Sequence, residues 1–223
     1  KSAKPVSLPE QTFQYIDYSV WQRDLLQGEF LQRLQEYWQA QLADYETLAL
    51  PTDFPRPGVR DYRGNEFEFS ISPELSTQLR SLAMEQETTL YTLLLSGFYA
   101  MLALSTGQND LIVGTPSENR ENAQTQEIIG FFVNSLALRV NLDIGGSISS
   151  LIREVHRTVI EAKAHQALPF EKIIQLLDVK SDTSRHPVYQ VMFDMEEFTD
   201  SLLNLSDLPF SPENLISRAG IDR

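Results

Sequence analysis

Between residues 22 and 43 the apolar positions Leu26, Phe30, Leu31, Leu34, Tyr37, Trp38 and Leu42 recur every three or four residues. That spacing gathers side chains into one stripe along an α-helix and predicts a packed element with no sign of a ligand role. Just before it, Tyr15, Ile16, Tyr18, Val20 and Trp21 alternate with polar neighbours, which predicts a short strand or extended segment over 15–21. Pro51, Pro55, Pro57 and Gly58 then break regular structure and predict a long connection that wraps a surface. Residues 64–71 alternate with period two around Phe67, Phe69 and Ile71, the pattern of a strand with one buried face. Ser72 is a good N-cap with Pro73 at the first helical position and Glu74 behind it, so a helix is expected to about residue 86. Thr88 or Thr89 caps a second, apolar helix through Leu104. Thr106-Gly107-Gln108-Asn109-Asp110 is turn chemistry leading into a short buried strand over 111–115. A core strand over 131–140, a helix over 147–164, a short helix opened by Pro169 and a last strand over 188–193 complete the alternation. The pattern argues an α/β class fold, a mixed sheet with packed helices.

Composition and charge narrow this picture. The 223 residues are 42% hydrophobic and 22% charged, enough to bury one domain core. A formal charge of −13 opposes binding to nucleic acid or an anionic membrane surface. The absence of cysteine excludes disulfides, thiolate zinc sites and a cysteine nucleophile, and fits a reducing compartment. The polar, proline-bearing start carries no apolar signal core, so a cytoplasmic location is expected. The apolar run over 90–104 is interrupted by Thr92, Ser96 and Gly97 and reads as a buried helix, not a membrane span.

Residue types alone yield no catalytic centre. No phosphate-cradling glycine loop and no Gly-x-Ser-x-Gly elbow occurs. His156 and His165 lie nine residues apart, which at about 100° per residue sets them on opposite faces of one helix and argues against a shared metal. His186 reads as a loop residue, and Asp194, Glu196 and Glu197 read as a solvated acidic face. Asn134 stands out as an amide inside an apolar strand that needs hydrogen-bond partners if buried. A satisfied core amide and a role in a substrate channel both remain open for it.

Four segments in order resemble the signature set of condensation domains from nonribosomal peptide synthetases. They are Tyr15-Ile16-Asp17-Tyr18-Ser19-Val20-Trp21-Gln22, Ile129-Gly130-Phe131-Phe132-Val133-Asn134-Ser135-Leu136-Ala137-Leu138-Arg139, His165-Gln166-Ala167-Leu168-Pro169-Phe170-Glu171 and Ser184-Arg185-His186-Pro187-Val188-Tyr189-Gln190-Val191-Met192-Phe193. Thr106 to Pro116 and the Leu50-Pro51-Thr52-Asp53 run resemble intervening family patterns. Ser135 stands where the family usually has threonine.

The resemblance implies one chloramphenicol acetyltransferase-like lobe of a two-lobed domain with its active site in a tunnel between lobes. It implies an acceptor amine attacking a donor thioester, both carried on the phosphopantetheine arms of carrier proteins, with no directly bound cofactor or metal. The implied partners are the upstream lobe, donor and acceptor carrier proteins and an adjacent adenylation domain. The family's His-His-x-x-x-Asp-Gly motif is absent. By resemblance this is therefore the C-terminal lobe, with residues 1–14 as a lead from the other lobe, residues 15–223 as the lobe itself, trimmed at its end, and no catalytic residue of its own. Asn134, Ser117, Thr115 and Trp21 are implied as tunnel candidates, and His165 and Arg185 as structural or lobe-contact residues. The wording around Asn134 is closer to members that take an L-configured donor. The rival expectation is a noncatalytic carrier-docking or scaffold module of the same fold.

Overall fold

The computed structural model describes residues 12–120, 122–143, 145–178 and 182–196. In chain order the elements are α1 (Tyr15–Leu25), α2 (Gly28–Gln41), α3 (Pro73–Glu85), α4 (Leu90–Thr106), β1 (Asp110–Ser117), a single 3-10 turn (Ala123–Thr125), β2 (Asn134–Asn141), α5 (Ile148–Ala164) and α6 (Phe170–Leu177). β1 and β2 pair antiparallel in a register that runs from Asp110 opposite Asn141 to Ser117 opposite Asn134. On the other side of β1, the Gly114 N–H donates to the Val191 carbonyl and the Phe193 N–H donates to the Gly114 carbonyl, each at 2.9 Å, forming a parallel bridge at Met192. Among the described residues the sheet is thus a small antiparallel pair with one parallel bridge beside it, and helices pack on it as the pattern required.

Three helix starts lie where their capping residues put them. The hydroxyls of Ser72, Thr89 and Ser147 accept from the backbone N–H three residues on, at 3.2, 3.1 and 3.1 Å. Each satisfies one of the N–H groups that a helix leaves without an internal partner. One core draws on α2, α4, α5, α6 and both strands, with Trp38, Tyr99, Leu34, Leu95, Leu111, Leu136 and Leu138 among its fully enclosed side chains. Tyr99 donates its hydroxyl to the Leu138 carbonyl at 2.6 Å, so α4 is tied to β2 by a polar bond inside the apolar layer. Among the described residues no single helix is long and apolar enough to cross a membrane.

Five expectations are corrected. Residues 15–21 are helical, because Tyr15 and Tyr18 fall three apart and both turn onto Phe132, at centroid distances of 5.2 and 4.6 Å. Asp17 stabilises that start by accepting from the Gln14 N–H at 2.8 Å. The stripe over 22–43 is not one helix, since the chain turns at Gly28, whose φ of 56° belongs to the left-handed region that glycine tolerates. Residues 64–71 form no ladder, and Phe67 and Phe69 stand 87% and 77% exposed. The second strand begins at Asn134 and not at Phe131, because its partner strand ends at Ser117. The strand expected over 188–193 is reduced to the single bridge at Met192. In a smaller adjustment, Pro169 is the N-cap of α6, one position before the first helical residue. The expected acidic tail from Glu197 onward, the lead over 1–11 and the end of the chain lie outside the described residues.

Candidate functional site

The ladder ends at Ser117 and Asn134, and a groove of about 390 Å³ opens beside that end. Because strand side chains alternate, Thr115 and Ser117 share a face of β1, and across the register that face continues into Leu136 and Leu138 of β2. Tyr91 from the first turn of α4, Val159 and Lys163 from α5, and Gln166 just beyond α5 form the other walls. Glu118 and Asp194 add carboxylates, and Arg120 and Lys163 add cations. The groove therefore presents mainly hydroxyl, amide and charged groups, with the enclosed Leu136 and Leu138 packed behind them.

The polar groups are ordered by bonds to one another. Tyr91 donates its hydroxyl to Thr115 Oγ1 at 2.8 Å. Burial pushes the Tyr91 phenol above its usual pKa, the hydroxyl bond to Thr115 opposes the shift, and the Asp194 charge adds to it, so Tyr91 stays a neutral donor. Ser117 donates its hydroxyl to the side-chain carbonyl of Gln166. Arg120 lies over the Phe132 ring at 4.0 Å and donates to the carbonyls of Thr125 and, at 3.0 Å, Ile128, which fixes the loop between the strands.

Asn134, opposite Ser117 at the end of the ladder, is not among the residues that line the groove. Its Nδ2 donates to the carbonyls of Gln166 at 2.8 Å and Leu168 at 2.9 Å, and its Oδ1 accepts from the N–H groups of Ser135 at 2.9 Å and Phe170 at 3.0 Å. These four bonds use both donors and both lone pairs of the amide. Of the two readings left open for this amide, its bonds are those of a satisfied core amide, which fixes the turn between α5 and α6.

The remaining candidates divide in the same way. Thr115 and Ser117 come together in the groove. Trp21 does not join them; it lies on α1 beside Tyr18 at 5.7 Å, 44% exposed, and serves neither the groove nor the core. His165 caps α5, stacks on Tyr37 at 3.8 Å and 6°, and holds the Glu161 carbonyl at 2.7 Å through Nδ1, an internal structural role. Arg185 stays within its own loop, 3.9 Å from Asp182, and forms no bond across the lobe among the described residues. His156 meets Thr88 at 2.7 Å and His186 stacks on Tyr189, so none of the three histidines lines the groove. Among the described residues no three acidic or histidine side chains are grouped to hold a metal ion.

Sequence reasoning missed Gln166, Tyr91, Lys163 and Glu118 as groove residues and treated Asp194 as solvated surface. Only Gln166 left a signal, since it follows His165 in the third of the four resembling segments.

Comparison with known proteins decides the family. A condensation-domain family model matches residues 1–215. This chain belongs to the condensation-domain family. It is 42% identical over 186 residues to the N-(5-amino-5-carboxypentanoyl)-L-cysteinyl-D-valine synthase of Amycolatopsis lactamdurans, a match that covers 83% of the chain and 5% of that protein. It is 36% identical over 216 residues to tyrocidine synthase 3 of Brevibacillus parabrevis, covering 96% of the chain and 3% of that protein. The chain therefore spans only a small part of these curated relatives. Among solved structures, a holo four-domain nonribosomal peptide synthetase bound to AMP and glycine aligns with a TM-score of 0.79 at 26% identity, covering 89% of the chain and 15% of that one. The X-domain from teicoplanin biosynthesis aligns with a TM-score of 0.77 at 26% identity, covering 83% of the chain and 42% of the X-domain. Condensation domains are acyltransferases of nonribosomal peptide synthetases, and peptide-bond formation is their general kind of reaction.

Proposed function

We propose that this chain is the C-terminal lobe of a peptide-bond-forming condensation domain and supplies one wall of the substrate channel. The acceptor and donor thioesters arrive on the pantetheine arms of carrier proteins, and the proton-handling histidine belongs to the other lobe. The observation that carries this reading is the apolar surface at the groove end of the ladder. Ile129, Phe131 and Val133 are 97%, 77% and 49% exposed on the loop that leads into Asn134, and Tyr15 of α1 binds that loop by donating to the Phe131 carbonyl at 2.7 Å. Ile16 and Val20 extend the same exposed apolar character along α1. A face of this kind beside a half-open groove supports a companion lobe. Its own residues bind and orient: a groove lined with hydroxyls and amides lowers the entropic part of a barrier by holding reactants in register.

The test is reconstitution. The chain alone, given loaded carriers, is expected to form no dipeptidyl thioester, and addition of the upstream lobe in trans is expected to restore it. Turnover by the chain alone, or none from the reconstituted pair, overturns the reading. A second reading is a docking module without chemistry, which is favoured by the structural likeness to an X-domain solved in complex with OxyB, at a TM-score of 0.77 and 26% identity. Carrier binding without turnover by the pair supports that alternative.

A further inference from the structure

None of the eleven residues of α1 is buried, although the helix carries Ile16, Tyr18, Val20 and Trp21. Ile16 and Val20 belong to the apolar face described above. Asp17 and Trp21 each follow one of them by a single position and, being four residues apart, share the neighbouring stripe of the helix. Together with Tyr18, and with Phe13 just before the helix, they form one wall of a crevice of about 280 Å³, and its other wall includes Gln124 and Ile128 of the loop between the strands. That loop is held by its own bonds: Thr125 donates to the Asn122 carbonyl at 2.6 Å, and the Gln126 amide donates to the Arg120 carbonyl at 2.8 Å. Arg120 is committed to two loop carbonyls and to the Phe132 ring.

Two groups in this crevice are unmatched. Trp38 is wholly enclosed and donates its indole N–H to the His165 carbonyl at 3.1 Å, whereas Trp21 is 44% exposed, Phe13 is 45% exposed, and the Trp21 N–H has no hydrogen bond among the described residues. The Asp17 carboxylate accepts the Gln14 N–H through one oxygen, and no ion pair among the described residues includes it. A neutral apolar side chain seated here would strip water from that carboxylate without replacing it. A cation would be met both by the carboxylate and by the faces of half-exposed rings. A guanidinium suits the site better than an ammonium, because its plane lies flat on an indole while its edge offers several N–H donors to a carboxylate. The chain's formal charge of −13 favours the approach of such a partner.

We propose that the crevice beside α1 binds the side chain of an arginine on the companion lobe, with Trp21 and Phe13 against the guanidinium plane and Asp17 on its N–H edge. The proposal rests on the two-lobe reading above and adds to it a charged anchor at the rim of the apolar face. Tryptophan and arginine are among the side chains that most often carry the energy of an interface.

The first probe is N-acetylarginine amide, titrated into this chain beside N-acetylcitrulline amide, which keeps the shape of the guanidinium and lacks its charge. NMR shifts of the Trp21 indole N–H and of the backbone amides over 122–128 report binding. The arginine probe is expected to bind about tenfold more tightly than the citrulline probe and to weaken as salt is raised. The second measurement is the affinity of the companion lobe for this chain. Trp21→Leu and Asp17→Asn, the latter keeping an acceptor for the Gln14 N–H, are each expected to lower it about tenfold. The double variant is expected to lose little more than either alone, since both remove the same contact. Equal binding of the two probes overturns the proposal, as does a companion-lobe affinity within twofold of the unsubstituted chain in both variants. Losses that simply multiply place Trp21 and Asp17 in separate contacts and overturn it too. If the two lobes do not associate, or associate and form no amide product, the function reading fails, and the difference between arginine and citrulline on this chain still decides whether the crevice is a cation site.

Discussion

The two ends of the β1–β2 ladder are built from the same kind of paired strand but held by opposite means. At the Asp110 end, Arg139 makes a two-pronged ion pair with Asp110, both bonds at 2.7 Å, and its remaining nitrogen donates to the carbonyls of Gln41 at 3.1 Å and Ala43 at 2.6 Å. Charge closes that end onto the C-terminus of α2. At the Ser117 end the fastening group is the neutral amide of Asn134, wholly buried in its bonds, and the ladder opens into a groove. A buried charge must recover a large desolvation cost, whereas an amide needs only matched hydrogen bonds. The neutral solution therefore suits the end where the fastening group sits against exposed apolar surface.

The largest effect is expected at the open end. Asn134→Ala removes the partners of two backbone carbonyls and two backbone N–H groups, of which the Leu168 carbonyl and the Phe170 N–H are buried, and at about 1 kcal/mol or more for each buried group and less for the others a loss of roughly 3 kcal/mol is expected in urea unfolding. A loss below about 1 kcal/mol would show that the turn holds itself and that Asn134 is incidental to it. At the closed end, Arg139→Met is expected to cost about 2 kcal/mol, less than the 3–5 kcal/mol range for a fully buried pair. Its side chain and that of Asp110 retain 20% and 16% exposure, so water reaches the groups left behind. A larger loss from Arg139→Met than from Asn134→Ala would reverse the comparison and make the charged end the main support.

The parts of this architecture that were legible in the sequence are those decided locally. Ser72, Thr89 and Ser147 announce their helices because a cap acts within three residues. The strands around Ile112 and Leu138 were visible because both faces are buried and the apolar run is continuous. The misread segments are those in which local pattern and tertiary contact disagree. Residues 15–21 satisfy an alternating and a helical pattern at once, and the choice is made by Phe132 and by Gly130, where an added Cβ would run into the Tyr15 ring. Residues 64–71 alternate correctly but have no neighbouring strand among the described residues. The groove was half legible: Thr115 and Ser117 came from the family resemblance, while Gln166 was hidden because its place in the lining depends on a turn fixed by residues 30 or more positions away. Asn134 was singled out for the right reason, an amide that needs partners, and those partners turned out to be backbone.

Midway between the two ends lies the contact that distinguishes them least, and its test is the smallest effect expected. Tyr189 covers Gly114 so closely that a Cβ there would approach its ring to 2.6 Å, and His186 stacks on Tyr189 at 4.0 Å and on Phe170 at 5.5 Å. The Tyr189 N–H points to His186 Nδ1 at 3.4 Å, an arrangement that needs the neutral imidazole. Burial lowers the His186 pKa from its usual 6.5, and the nearby Arg60 charge lowers it further. In the unfolded chain His186 takes up its proton near pH 6.5, while the folded protein resists until a lower pH. Within that window the unfolded state binds more protons, so stability falls as pH drops and levels off once the folded form is protonated too. His186→Asn removes this group, and the variant is expected to show a shallower stability slope than the unsubstituted protein between about pH 7 and the acid side of 6.5. Unfolding midpoints measured across that range for both proteins check it. Parallel slopes would mean that the middle of the ladder does not sense protonation.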